Sequence, residues 1–414
     1  MKKNIFVFTM FFSLFLLLMC GQKQTRVMVG IEVLIEEQRH LLKNKRVGII
    51  TNQTGITSSG EHIVDVLSRL PDVEVTAIFA PEHGFRGNKP DALQFASYVD
   101  ERTGVKVWSL YGRALKPTPE MLESVDVLAY DIQDVGARFY TFISTMGLGM
   151  EAAAENGKSF IVLDRPNPIT GTILEGPVME EKYYSFVGKY PIPVRYGMTP
   201  GELAQMIKGE GWMNGVDGLD LTVVPLKGWK RDMWYDETGL PWVKPSPNIP
   251  TIITAELYPG MCLFEAVSMS EARGTMRPFE QFGAPWIDSD KLAELMNEYA
   301  LPGIFFRSVS YIPVPIPDAV SRPRFQDEEI KGLEFIVTDR TKLRPLDAMV
   351  YLFNTVKQHY PDEMQFRSNL ERLIGIQSFR SDMNNARHPQ SILNEWTNGL
   401  SEFDNLRQKY LLYK

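Results

Sequence analysis

The sequence predicts an α/β protein in two parts, a wound parallel sheet in the N-terminal half and a smaller α+β domain behind it. Three observations carry that expectation. From Arg46 onward, short β-branched apolar runs alternate with helical stretches, the pattern of successive βαβ units. These runs are largely apolar, and those at 47–50, 127–130 and 160–163 carry no charged side chain, as suits strands covered on both faces. The texture then changes near Gly228, where Trp229, Trp234 and Trp242 stand among prolines, and irregular chain replaces regular periodicity.

The strands are expected at Val47 to Ile50, Val73 to Phe79, Val105 to Leu110, Val127 to Tyr130 and Phe160 to Leu163. Helices fit between them. Glu61 to Leu70 sets Ile63, Val66, Leu67 and Leu70 on one face, and Thr141 to Glu155 stops at Asn156-Gly157, a good left-handed cap. The short connections suit right-handed crossovers. A further helix at Gly201 to Lys208 and strand at Leu221 to Pro225 complete this Rossmann-like part, expected over residues 26–228. Residues 229–414 form the α+β part, with strands at Ile304 to Ile312 and Leu333 to Thr338. Its last helix sets Ile392, Trp396, Leu400, Phe403, Leu406 and Tyr410 at helical spacing.

At 414 residues and 44% hydrophobic content the chain can bury a large core. A net charge of −7, with both signs interleaved, leaves no basic stripe for nucleic acid. Residues 1–20 read as an export signal: Lys2 and Lys3 precede the apolar run Ile5 to Met19, which Cys20 closes directly. That ending resembles the site where bacterial lipoprotein signals are cut and the cysteine lipidated. The expectation is an exported, lipid-anchored protein of the cell envelope. It should face the periplasm, since Gly21-Gln22-Lys23-Gln24 carries no acidic run. Cys262 is then left alone in an apolar run and reads as a packed small hydrophobe.

Polar residues gather just after the carboxyl ends of the strands, the edge at which open α/β sheets bind ligands. Asn52, Glu82, His83, Tyr111, Asp131, Gln133, Asp134, Asp164 and Asn167 all fall there. The loop Thr51-Asn52-Gln53-Thr54-Gly55 lacks the closely spaced glycines of a dinucleotide site, and there is no Walker-type lysine loop. No cofactor is expected. The five histidines show no metal-ligand spacing, and no metal is expected. A nucleophile elbow is absent too, which leaves carboxylate chemistry.

The runs Phe79-Ala80-Pro81-Glu82-His83-Gly84-Phe85-Arg86-Gly87, Tyr130-Asp131-Ile132-Gln133-Asp134-Val135-Gly136-Ala137-Arg138-Phe139-Tyr140 and Leu163-Asp164-Arg165-Pro166-Asn167-Pro168 resemble those of the exo-β-N-acetylmuramidase family NamZ. Ser270-Glu271-Ala272-Arg273-Gly274-Thr275 and the following Arg277-Pro278-Phe279-Glu280 are similar to its second signature. The resemblance implies release of N-acetylmuramic acid from non-reducing ends of peptidoglycan glycans. It also implies a catalytic Rossmann-like domain, an auxiliary C-terminal domain with the site in the cleft between them, and a catalytic glutamate at Glu82.

Glycoside hydrolysis needs an acid for the leaving oxygen and usually a second carboxylate as base or nucleophile. Glu82 is expected as the acid, with burial and nearby Asp131 or Asp164 raising its pKa. Asp131, Asp134, Asp164 and Glu271 compete for the second role, and the sugar's own acetamide is an alternative nucleophile. The lactyl carboxylate calls for a guanidinium fork, from Arg138, Arg165, Arg273 or Arg277. Each of these also reads as an ion-pair partner of the neighbouring Asp134, Asp164, Glu271 or Glu280, as does Arg86 of Glu82. Tyr111, Tyr140 and Trp286 are candidates to stack on the sugar, and His83 to be a proton partner. A lipid-anchored sugar-binding protein would keep the arginines and aromatics but need no acid, and a Rossmann-type oxidoreductase would bind nicotinamide.

Overall fold

The computed structural model describes residues 26–81, 84–87, 97–112 and 114–414. Glu82 and His83, and the expected signal with Cys20, lie outside the described residues. The chain folds as the sequence predicts, into a wound α/β sheet followed by a smaller sheet with helices.

The first unit runs through α1 (Gly30–Glu37), β1 (Lys45–Thr51), α2 (Ile63–Ser68), β2 (Val73–Ala80), β3 (Tyr98–Val99), β4 (Lys106–Ser109) and β5 (Val127–Asp131). It continues through α3 (Phe142–Glu155), β6 (Ser159–Leu163), α4 (Pro200–Gly209) and β7 (Leu221–Val224). The strand order is β3-β4-β2-β1-β5-β6-β7, parallel except for the two-residue β3 at the edge. Without that edge strand the order is the doubly wound one, which reverses direction between β1 and β5. Ligands of such sheets bind beyond the carboxyl ends of the strands at that reversal.

Both faces of the sheet are covered, which is why its strands are apolar without alternation. Ile50, Leu128, Tyr130, Phe160 and Val162 pack against Phe142, Met146 and Met150 of α3 and Leu203 of α4. Ile49, Ile78, Ala129 and Ile161 pack on the other face against Ile31 and Leu34 of α1 and Ile63 and Leu67 of α2. Thr199 caps α4 in a reciprocal capping box with Glu202.

The second unit contains α5 (Ile252–Met261), β8 (Gln281–Ala284), α6 (Ser289–Glu298), β9 (Ile304–Tyr311), β10 (Ile330–Val337) and α7 (Pro345–His359). It ends with α8 (Leu370–Ile374), α9 (Ser378–Asn384) and α10 (Pro389–Arg407). Its antiparallel sheet has the order β8-β10-β9. The core of this unit takes in Val135, Ala137, Phe139 and Ile169 from the loops after β5 and β6. Those loops therefore belong to the packing of both units. The last residues return to the first unit, where the Tyr413 hydroxyl bonds Asp164 and Arg231 donates to the Tyr413 carbonyl.

Candidate active site

At the sheet's reversal point the loops after β1, β5 and β6 are tied into one polar layer. The Thr51 hydroxyl donates to the Asp131 carbonyl at 2.9 Å, and Asn52 Oδ1 accepts from the Thr54 amide and hydroxyl at 2.9 and 2.6 Å. The Gln133 amide donates to Thr54 Oγ1 at 2.9 Å, while Gln133 Nε2 reaches the carbonyls of Asp134 and Pro166. Arg165 forks onto the Asp131 carboxylate through Nε and Nη2 and onto the Ile56 carbonyl. Both members of that pair are buried. Asn52 Nδ2, Gln133 Oε1 and Asp134 Oδ1 are buried there without a partner among the described residues.

Thus the structure brings Asn52, Asp131, Gln133, Asp134, Arg165 and Asn167 together, but it engages most of them with one another. Arg165 pairs with Asp131, where its sequence neighbour Asp164 was the expected partner. Asn167 spans the Met198 carbonyl and the Ile169 amide. Asp134 accepts from the Tyr196 hydroxyl and the Gly136 amide, and burial outweighs those bonds, pushing its carboxyl up to about 6.

Asp164 faces away from this layer. Its oxygens take bonds from the Arg165 and Gly201 amides and from the hydroxyls of Thr199 and Tyr413. It joins β6 to α4 and to the chain's end, and burial pushes its carboxyl up to about 7. A Cβ at Gly201 would come within 2.7 Å of its carboxyl carbon, so no ligand atom enters from that side.

The arginines separate equally clearly. Arg138 is wholly buried, and among the described residues no carboxylate lies in hydrogen-bond reach of it. It donates to the carbonyls of Pro177 and Ile192 in the first unit and of Leu373 and Ile374 in the second. Arg277, itself exposed, pairs with the buried Glu334 instead of with Glu280. Arg86 is held by Asp65 and Asp100 at 2.8 and 2.9 Å. Glu271 is buried between Arg273 and Arg324, at 4.0 and 3.9 Å.

Of the four candidate lactyl readers, Arg273 lines a cavity between the units. This cavity, of about 330 Å³, is bounded by Phe139 to Phe142 from the loop after β5, by Val187, and by Ser246, Asn248 and Ile249. Tyr258, Phe279 and Leu373 close it from the second unit, and Cys262 and Glu265 complete the wall. Arg273 Nη2 donates to Glu265 at 2.5 Å and its guanidinium lies 5.2 Å from the Phe279 ring centroid. Burial opposes its charge, but Glu265 and Glu271 outweigh burial and raise its pKa. Tyr140, expected as a stacking residue, is in this wall. Tyr111 stands half-buried beyond β4, outside it, and Trp286 packs on Tyr360.

A second cavity, of about 430 Å³, meets the first at Asn248 and is bordered by Gln53, Arg86, Gly87, Lys244, Thr275 and Pro278. Pro81 and Gly84, which flank Glu82 and His83 in the chain, follow the carboxyl end of β2 beside the β1 loop. Among the described residues no group of three His, Cys, Asp or Glu side chains is placed to hold a metal.

Sequence reading did not single out Glu265, Tyr258 or Asn248. A signal for Glu265 existed, since it interrupts the apolar run Leu263-Phe264-Glu265-Ala266-Val267, where a carboxylate needs a partner or a task.

Two family models, described as exo-beta-N-acetylmuramidase NamZ, N-terminal and C-terminal, match residues 47–253 and 256–413. The chain belongs to the NamZ family. It is 44% identical over 393 residues to the peptidoglycan beta-N-acetylmuramidase NamZ of Bacillus subtilis (strain 168), covering 94% of this chain and 92% of that protein. Two solved structures of DUF1343 family proteins from Bacteroides fragilis NCTC 9343 are similar to it. One has a TM-score of 0.87 at 40% identity, the other 0.78 at 33%, and each match covers 94% of this chain and 99% of the other. The fold is thus shared along nearly the whole chain, through both units.

Proposed function

We propose that this NamZ-family protein is an exo-acting glycoside hydrolase that releases N-acetylmuramic acid from the non-reducing ends of peptidoglycan fragments. Its family and the activity named for its Bacillus subtilis relative support the reaction. The observation in the molecule that carries the reading is the cavity between the units. It is sugar-sized, walled by aromatic rings, and has Arg273 as the arginine in its wall. A planar guanidinium suits the lactyl carboxylate, the group that distinguishes muramic acid from glucosamine. A cavity walled by Tyr258, Phe279 and Leu373 from the second unit and by Phe139 to Phe142 from the first suits a terminal sugar, as exo action needs.

Glu82 serves as the acid that protonates the departing oxygen; it belongs to the segment after β2, whose next residues Arg86 and Gly87 border the second cavity. The remainder of the glycan leaves through that second cavity. The basic start, apolar run and Cys20 of the sequence support export and lipid anchoring in the cell envelope, facing the periplasm, where peptidoglycan lies.

The test compares a chromogenic β-N-acetylmuraminide with the matching β-N-acetylglucosaminide. Turnover of the first, with kcat/KM at least about 100-fold above the second, is expected for a carboxylate read by a half-buried arginine fork. Cleavage of the glucosaminide alone contradicts the proposal.

A further inference from the structure

The sequence offers four carboxylates for the second catalytic role, Asp131, Asp134, Asp164 and Glu271, and none of them lines the cavity between the units. Asp131 is locked on Arg165, Asp134 is buried on Tyr196 and Gly136, and Asp164 is filled by four donors. Glu271 sits behind Arg273, almost wholly buried. Among the described residues lining that cavity, the carboxylate present is Glu265.

Glu265 stands in the 3₁₀ turn Cys262–Ala266 that continues α5. Its neighbours Leu263, Phe264 and Ala266 are buried in the core of the second unit, whereas the Glu265 side chain keeps 28% of its surface open. The backbone thus anchors it rigidly while its head faces the cavity. Arg273 holds one oxygen at 2.5 Å, and Tyr258, Cys262 and Arg324 are among the groups whose charge it feels.

We infer that Glu265 is the second carboxylate of the muramic-acid site, complementing the acid role of Glu82; this rests on the muramidase reading above. As the bond between the anomeric carbon and the glycosidic oxygen breaks, the departing oxygen keeps the electron pair and takes a proton from Glu82. The nucleophile, water or the sugar's own acetamide, bonds the anomeric carbon through oxygen and gives its proton to Glu265. A second carboxylate in this role is what glycoside hydrolysis requires. Arg273 couples recognition to chemistry, since one guanidinium touches both Glu265 and the position proposed for the lactyl group.

The competing role for Glu265 is to position Arg273 and nothing more, and kinetics separate the two. In Glu265→Gln the inference predicts kcat on the muraminide lower by at least about 100-fold, a general-base effect, with KM little changed and the acidic limb of the pH profile lost. The loss should be equal for a nitrophenyl and a natural disaccharide leaving group, whereas Glu82→Gln should be rescued by the nitrophenyl group, which leaves without a proton. A Glu265→Gln protein with kcat within about fivefold of wild type, KM raised and the acidic limb intact overturns the inference. Should that variant not fold, Glu265→Asp keeps the ion pair but withdraws the carboxylate by one methylene. It is expected to lose kcat by at least about tenfold, and unchanged kcat overturns the inference. Wild-type protein inert on every muraminide would instead overturn the muramidase reading beneath it.

Discussion

Asp164 and Asp134 are carboxylates that the fold uses for architecture. Burial pushes them up to about 7 and about 6, and it pushes Glu256 and Asp347 up to about 7 as well. Each therefore binds its proton more tightly in the folded than in the unfolded chain. Stability from such groups is fully present below about pH 4, the unfolded value, and is lost as pH rises through about 6 to 7. Asp126 and Asp339, lowered to about 2 by Arg46 and by Thr341 with Lys342, act in the opposite sense only at lower pH, and both are at the surface. The urea midpoint is thus expected to fall between about pH 5 and about pH 8, and Asp164→Asn should flatten that slope. A midpoint that rises over the same interval contradicts the assignment.

At the scale of the element, α5 carries the cavity wall, because Tyr258 is on it and Glu265 on the turn that prolongs it. Its Pro259-Gly260 pair meets the start of α7, where a Cβ on Gly260 would lie 2.1 Å from the Pro345 carbonyl oxygen. Backbone cannot yield as a side-chain tip does. Gly260→Ala is expected to cost about 1–3 kcal/mol, the usual range for overpacking, read by chemical denaturation; an unchanged midpoint would show that α5 and α7 are not in register as described.

The strands of the first sheet were legible because doubly covered strands are continuous apolar runs, and β1, β2, β5 and β6 agree with expectation to within about two residues. β8 was not legible: Gln281-Phe282-Gly283-Ala284 is short and glycine-bearing, and it pairs only because Gly283 and Gly332 face each other across the ladder. The carboxyl-edge polar layer was legible as a place but not as a division of labour. Asp131 and Asp164 look alike in sequence, each ending an apolar strand. One is neutralised by Arg165, and the other is saturated by residues 199, 201 and 413. Partners so distant in the chain leave no local signal. Glu265 did leave a local signal, a carboxylate inside an apolar run, but only the folding of α5 against the loop after β5 makes its position a cavity wall.

The whole molecule depends on the two units being fastened together. Arg138 is the fastener best defined by its bonds: burial lowers its pKa to about 9, yet carbonyls from both units surround the guanidinium. Two of those carbonyls end α8, the negative end of a helix, which favours a cation there. Phe139 in the second core and the return of Tyr413 to Asp164 add further ties. The cavity between the units is therefore a fixed pocket assembled from residues far apart in sequence, and the account places the terminal muramic sugar in it. A crystal structure with bound N-acetylmuramic acid tests this most directly. The lactyl carboxylate should lie about 3 Å from the Arg273 guanidinium, with the anomeric carbon beside Glu265. A sugar seated elsewhere, such as the hollow lined by Tyr184, Phe186, Lys189 and Trp212, with no contact to Arg273, would contradict it.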